Sequence, residues 1–223
     1  MAQLSGLDSA FLYLETPRTP MHIGSIAIYD PSTAPNSFVR FKDILNFIDS
    51  RMHLAKSFRR KIANVPLSLD YPYWVDDADF DLEYHVRHIA LPQPGDWRQL
   101  CIQASRLHSR PLDLSKPLWE FTVIEGLNNI PGVPKGSYAI VSKIHHAAID
   151  GVSGVDIANA VHSIDPAGAI ATPERPWIPE RTPTSVELLA RAQHAARQAA
   201  STLTIPEASV RSAPGAPVET DAV

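Results

Sequence analysis

Cysteine is nearly absent from this chain of 223 residues: Cys101 stands alone, so no disulfide can form within it. That excludes a disulfide-stapled secreted scaffold. A basic excess is missing too, since 20 Lys and Arg stand against 24 Asp and Glu, a net charge of −4. Nucleic-acid binders neutralise phosphates with clustered cations, so that class is set aside. No apolar run approaches the ~18 residues that span a bilayer. The first positive charge is Arg18, so Met1-Ala2-Gln3-Leu4 lacks the basic start of a signal peptide. The expectation is a soluble, cytoplasmic globular chain with room for one sizeable core or two small ones.

Proline is not scarce, and it is unevenly placed. Of the 20 prolines, 12 lie in residues 1–165 and the remaining 8 from Pro166 onward. This divides the chain into a domain over 1–165 and a proline-rich linker over 166–223, with one helix expected at 184–203. Val186, Leu189 and Ala192-Gln193 form the stripe of that helix, and it is too alanine-rich to anchor in a membrane. Within the domain, Ser5 to Asp8 has capping-box spacing ahead of a short apolar segment. Ile23 to Tyr29 reads as a strand. Ser37 reads as the N-cap of a helix whose face carries Phe38, Phe41, Leu45, Ile48 and Met52. Tyr73 to Val75 and Leu82 to Ile89 read as short strands, and Trp97 to His108 as a helix closed by Pro111. Trp119 to Ile124 and Ser137 to Ile144 read as an antiparallel pair, followed by a helix from Val152 to Ser163. Cys101, inside a predicted helix, reads as a small core residue.

The sharpest feature is Lys143-Ile144-His145-His146-Ala147-Ala148-Ile149-Asp150-Gly151, where an apolar strand runs into two histidines. Histidine titrates nearest neutrality and suits general-base work on a hydroxyl. Neighbouring residues leaving a strand point to opposite faces, so one histidine can meet a cavity while the other is held inside. A metal reading needs three or four ligands, and His-Glu-x-x-His is missing. His85-x-x-His88, read as a strand, puts its histidines on opposite faces, which argues against a shared metal. A serine nucleophile would sit in Gly-x-Ser-x-Gly, which Gly151-Val152-Ser153-Gly154-Val155 misses by one position. Two satisfied core histidines remain the plain alternative. Arg59-Arg60-Lys61 reads either as a solvated basic run or as a phosphate contact.

Several further stretches accompany the histidines: Leu4-Ser5-Gly6-Leu7-Asp8 with Phe11-Leu12; Pro20-Met21-His22-Ile23-Gly24; Leu91-Pro92-Gln93-Pro94-Gly95; and Pro117-Leu118-Trp119-Glu120 with Ile124-Glu125-Gly126-Leu127. Together with His145-His146-x-x-x-Asp150-Gly151, they resemble the bacterial wax ester synthase/diacylglycerol acyltransferases. That family is itself similar to chloramphenicol acetyltransferase and to peptide-synthetase condensation domains. The resemblance implies an α/β fold, a two-layer sandwich with a mixed sheet covered by helices, forming one half of a chloramphenicol acetyltransferase-like pseudodimer.

By position, the resemblance makes His146 the general base and His145 its supporting neighbour. Asp150 turns towards an arginine to hold the loop, and Gly151 allows the turn into the next helix. Pro117, Leu118, Trp119 and Glu120 help shape the acyl or acceptor pocket; equally, Trp119 can be read as a core anchor. The implied reaction is direct acyl transfer from acyl-CoA, a co-substrate, to diacylglycerol or a long-chain alcohol, without bound cofactor or metal. The implied partners are those substrates, the C-terminal half of the same enzyme, and a peripheral contact with the inner membrane or lipid droplets. The rivals are a different acceptor, or a non-catalytic lipid-binding or lipid-droplet module that keeps the fold.

Overall fold

Alternation builds the central sheet. In strand β7 (Tyr138–His145) every second residue is buried: Ala139, Val141, Lys143 and His145 on one face. The opposite face carries Tyr138, Ile140, Ser142 and Ile144, all half-buried. The structure is a computed structural model that describes residues 1–149, 157, 160–163, 173 and 176–202. Its main sheet has the order β2-β7-β6-β5, with β2 at His22–Tyr29, β5 at Val86–Ala90 and β6 at Trp119–Glu125. β6 and β7 are antiparallel, as the sequence suggested, with Trp119 opposite Ile144. β2 also runs antiparallel to β7, whereas β5 and β6 are parallel. A parallel pair needs a crossover, and α4 (Trp97–His108) supplies it.

The mixed α/β architecture expected from the sequence is present, and helices lie on both faces of its sheet. α2 (Phe41–Arg51) brings Ile44 and Ile48 onto Trp119, Phe121 and Val123. α4 brings Leu100 and Ala104 onto Ile124, Ala139 and Val141. Burying each large side chain of this kind contributes roughly 1.5–3 kcal/mol. Two short elements precede β2, namely β1 (Ala2–Gln3) and α1 (Gly6–Leu14). β1 joins β4 (Tyr73–Asp76) and β3 (Arg60–Ala63) in a smaller antiparallel sheet of order β1-β4-β3. Against that sheet packs α5 (Ser185–Thr202), where Leu188 and Ala192 meet Val65, Tyr73 and Val75.

Local chemistry moved several element boundaries. α2 starts at Phe41, not after Ser37, because the Asp43 carboxylate accepts from the Arg40 backbone N–H at 3.2 Å and from its guanidinium at 2.7 Å. Ser37 instead sits in a tight turn with φ +51°, and Phe38 is exposed. Leu82 to His85 is a single helical turn, α3, whose first turn is capped where Glu83 N–H donates to Asp81 at 3.0 Å. Only Val86 onward is strand. Cys101 is exposed, because the buried face of α4 is set by Leu100 and Ala104. In α5 the buried pair is Leu188 and Ala192, while Val186 faces solvent. Of the expected helix over 152–163, Ile157, Ala160 and Val161 are helical, and most of the rest lies outside the described residues.

Candidate active site

β7 ends on the two histidines, and the chain then makes a tight helical turn over His146–Ala148. Three of the sequence stretches singled out above meet around this turn: those that hold Leu4, Phe11 and Leu12, Met21, and Leu118. Its two histidine backbones are pinned from both sides. His145 N–H donates to the Leu118 carbonyl at 3.0 Å, and His146 N–H donates to the Met21 carbonyl at 2.9 Å. Leu4, Leu118, Ala147 and Ala148 form one small core, with Leu12 against it. Phe11, from α1, lays its ring on that of His146, with centroids 4.8 Å apart and planes 17° apart. α1 is in turn started by Ser5, whose Oγ accepts from Asp8 N–H at 3.1 Å.

The two imidazoles have different surroundings. His145 is fully buried. Its Nδ1 accepts the Ala147 N–H at 3.0 Å, so the proton sits on Nε2, which donates to Glu15 Oε2 at 3.0 Å. Burial pushes its pKa down, against the pull of the Glu15 carboxylate. The outcome is a neutral ring locked at both nitrogens. The Glu15 side chain is only 7% exposed, and it also accepts the Met21 N–H at 3.4 Å. His146 is half-buried. Among the described residues none hydrogen-bonds to its ring nitrogens, so the ring is left free to take up a hydrogen bond from a ligand.

Glu15 had no signal in the sequence. It lies 130 positions from His145 and outside every recognised stretch. The one available hint was physical: a buried imidazole needs an acceptor for its N–H. Asp150 and Gly151 lie outside the described residues.

Pro117, Leu118 and Trp119 are buried in the interior. Trp119 is 1% exposed, and its indole N–H donates to the Phe58 carbonyl at 3.0 Å. His85 donates from Nδ1 to the Trp119 carbonyl at 2.7 Å and stacks on the indole at 4.6 Å. His88 lies elsewhere, on Phe41 and 3.1 Å from Glu125. Glu120 lies 3.3 Å from Lys143 and 3.7 Å from Arg87. Gly95 and Gly126 turn out to be mutual neighbours. A Cβ on Gly95 would stand 2.0 Å from the Gly126 carbonyl oxygen, so the Leu-Pro-Gln-Pro-Gly stretch is needed for close packing at the ends of β5 and β6.

The basic run is already engaged: Arg59 is 3.8 Å from Asp49, Arg60 3.3 Å from Asp76 and Lys61 2.7 Å from Asp77. Among the described residues no three His, Cys, Asp or Glu side chains gather as a metal site would require. Nor, among them, is any helix long and apolar enough to cross a membrane.

The fold is of the condensation-domain and chloramphenicol acetyltransferase kind. The first condensation domain of the calcium-dependent antibiotic synthetase superposes with a TM-score of 0.54 at 15% identity, over 72% of this chain and 36% of that one. At such identity the likeness concerns fold alone. The wax ester synthase/diacylglycerol acyltransferase of Marinobacter aquaeolei VT8 is nearer, with a TM-score of 0.60 and 31% identity over 77% of this chain and 41% of its own. Two Mycobacterium tuberculosis relatives are each named "Probable diacyglycerol O-acyltransferase". One, tgs3, is 38% identical over 192 residues, 86% of this chain and 67% of its own. The other, tgs2, is 39% identical over 163 residues, 73% of this chain and 34% of its own. The pattern describing the wax ester synthase/diacylglycerol acyltransferase catalytic domain matches residues 4–216. The chain belongs to that family, and it spans about a third to two thirds of these mycobacterial relatives.

Proposed function

We propose that this chain carries the base-bearing part of an acyl-CoA-dependent O-acyltransferase that moves a long-chain acyl group to diacylglycerol, and also to long-chain alcohols. The observation behind this reading is the contrast between the paired histidines. His145 is locked and neutral, whereas the ring nitrogens of His146 have no hydrogen-bond partner among the described residues. In this scheme the acceptor hydroxyl gives its proton to His146 as its oxygen attacks the thioester carbonyl. The tetrahedral intermediate collapses with cleavage of the C–S bond, and the His146 imidazolium returns the proton to the CoA thiolate. No acyl-enzyme forms, and acyl-CoA is a co-substrate with no bound cofactor or metal.

Glu15 and His145 act as positioning residues that fix the turn aiming His146. Asp150 and Gly151 would hold its far side, with Pro117 to Glu120 acting through the His145 backbone. The wall of the reaction site that closes over His146 belongs to the region of the relatives beyond this match, a C-terminal half. Acceptors this apolar also imply contact with a lipid surface, at the inner membrane or a lipid droplet.

The test is CoA release from palmitoyl-CoA with dioleoylglycerol or hexadecanol as acceptor, in the protein containing this chain. His146→Ala should lower kcat by at least about 100-fold, the usual range for a lost general base. Glu15→Gln should lower kcat less, leaving KM unchanged. Turnover by His146→Ala at the unmodified rate would overturn the base assignment and favour a lipid-binding module.

A further inference from the structure

Between α2 and the exposed face of β2 and β7 lies a cavity of about 760 Å³, within the range of sites that enclose a whole small molecule. Along β7 it runs from Tyr138 to Ile144, a path of about 20 Å at the strand rise. Ile144 is followed directly by the His145-His146 pair. The walls are mainly aliphatic and aromatic, with Ile140, Ile44 and Phe47 among them. One residue does not belong in such a lining. Arg51, the last residue of α2, lies on the cavity wall and is only 7% exposed. Among the described residues its Nε has no hydrogen-bond partner and no carboxylate pairs with it. Its neighbour is the Phe47 ring, 3.7 Å away, which meets the positive charge but gives the buried Nε–H no acceptor. The guanidinium is covered without being deep, and burial pushes its pKa down with no anion to oppose it.

A covered, unpaired charge is costly to fold around unless a counter-ion arrives. Asp43 also faces the cavity, but its carboxylate is engaged by Arg40. We propose that this cavity binds one long-chain fatty acid, its carboxylate on Arg51 and its chain along the β2–β7 groove. A single guanidinium matches a single negative charge, and the groove offers length and apolar walls for an unbranched chain. CoA phosphates would need several cations, and among the described lining residues Arg51 alone carries a permanent positive charge. A neutral glyceride would leave Arg51 unpaired. The proposal does not rest on the acyl-transfer reading, since it needs no turnover and no role for His146.

Displacement of a fluorescent fatty acid from the 223-residue chain tests it, with palmitate and hexadecanol as competitors. Palmitate should bind one per chain and at least tenfold more tightly than hexadecanol, as expected for a charge-assisted contact. Arg51→Met should bring palmitate down to the hexadecanol level without lowering Tm, because it removes an uncompensated charge. Ala27→Trp, which fills the groove from β2, should abolish both, while circular dichroism confirms folding. Absence of saturable palmitate binding by the folded chain would overturn the proposal. So would equal affinity in Arg51→Met, or a variant of lower Tm with unchanged affinity, which would give Arg51 a purely structural role.

Discussion

A buried histidine must settle where its proton sits, and here three of them settle it without ionising. His145 accepts a backbone N–H at one nitrogen, so adding a proton there would break that bond. His85, 1% exposed, is sandwiched between Phe80 and Trp119. His22, opposite His145 on β2, gives Nε2–H to the His108 carbonyl at 2.7 Å and leaves its Nδ1 unpaired. Burial is the largest cause pushing all three below the usual 6.5. Below about pH 6.5 the unfolded chain binds protons that the folded chain refuses, so stability falls as pH falls and is fully present above that value. Urea midpoints at pH 7.5, 6.5 and 5.5 should decline through the lower interval, by up to about 1.4 kcal/mol per pH unit for each histidine. A flat profile would mean that the rings protonate freely in the fold. At this scale the sequence was legible where a pattern is unusual: two adjacent histidines after an apolar strand mark the turn around which the structure gathers Leu4, Phe11, Met21 and Leu118. Glu15 was not legible, because its partner reaches it only once β7 and the end of α1 are side by side.

Elements show the same division between local and distant causes. α4 was readable end to end because its signals are all its own, among them the stop at Pro111, and the structure adds an Asp96–Gln99 capping box at its start. α3 was misread as strand because one capped turn is shorter than any period that could reveal it. The C-terminal end of α4 depends on another element altogether. Lys143 projects from β7, 5% exposed, and donates to the Arg110 carbonyl at 2.8 Å and to the Leu107 carbonyl at 3.3 Å, with Glu120 3.3 Å away. A cation there meets both the negative end of the helix and the carbonyls that no intrahelical donor reaches. Lys143→Met would remove the side-chain donor to the Arg110 carbonyl and leave Glu120 with only the more distant Arg87, so we expect a loss of about 2–4 kcal/mol by urea denaturation. Adding Glu120→Gln should recover part of it, since the stranded carboxylate is then gone. An additive double variant would show that the two charges do not interact.

For the whole molecule, the boundary of interest is the proline-rich stretch. Composition marked a change near residue 166, but composition alone does not reveal whether the chain beyond it folds back. The structure brings residues 176–202 onto the small sheet. Trp177 stacks under Arg59 at 4.9 Å, Glu180 N–H donates to Asp76 at 3.1 Å, and Leu188 and Ala192 complete a core with Val65, Tyr73 and Val75. The face of α5 was read only in part from the sequence, Ala192 rightly and Val186 wrongly, because an alanine-rich helix has almost equal sides until a partner selects one. The partner here is a three-stranded sheet, whose Tyr73 and Val75 it covers together with Val65 and Met1. If α5 only bridged to something else, shortening its buried side chain would cost nothing. If it completes the core, Leu188→Ala opens a cavity under Tyr73 and should cost about 2–3 kcal/mol, whereas Val186→Ala on the exposed side should stay within about 0.5 kcal/mol. Both variants are read as shifts in the urea midpoint at constant m-value, since a fall in m would report a looser native state instead. Equal small shifts in the two would remove α5 from the folded unit; unequal ones would extend that unit beyond the prolines to residue 202.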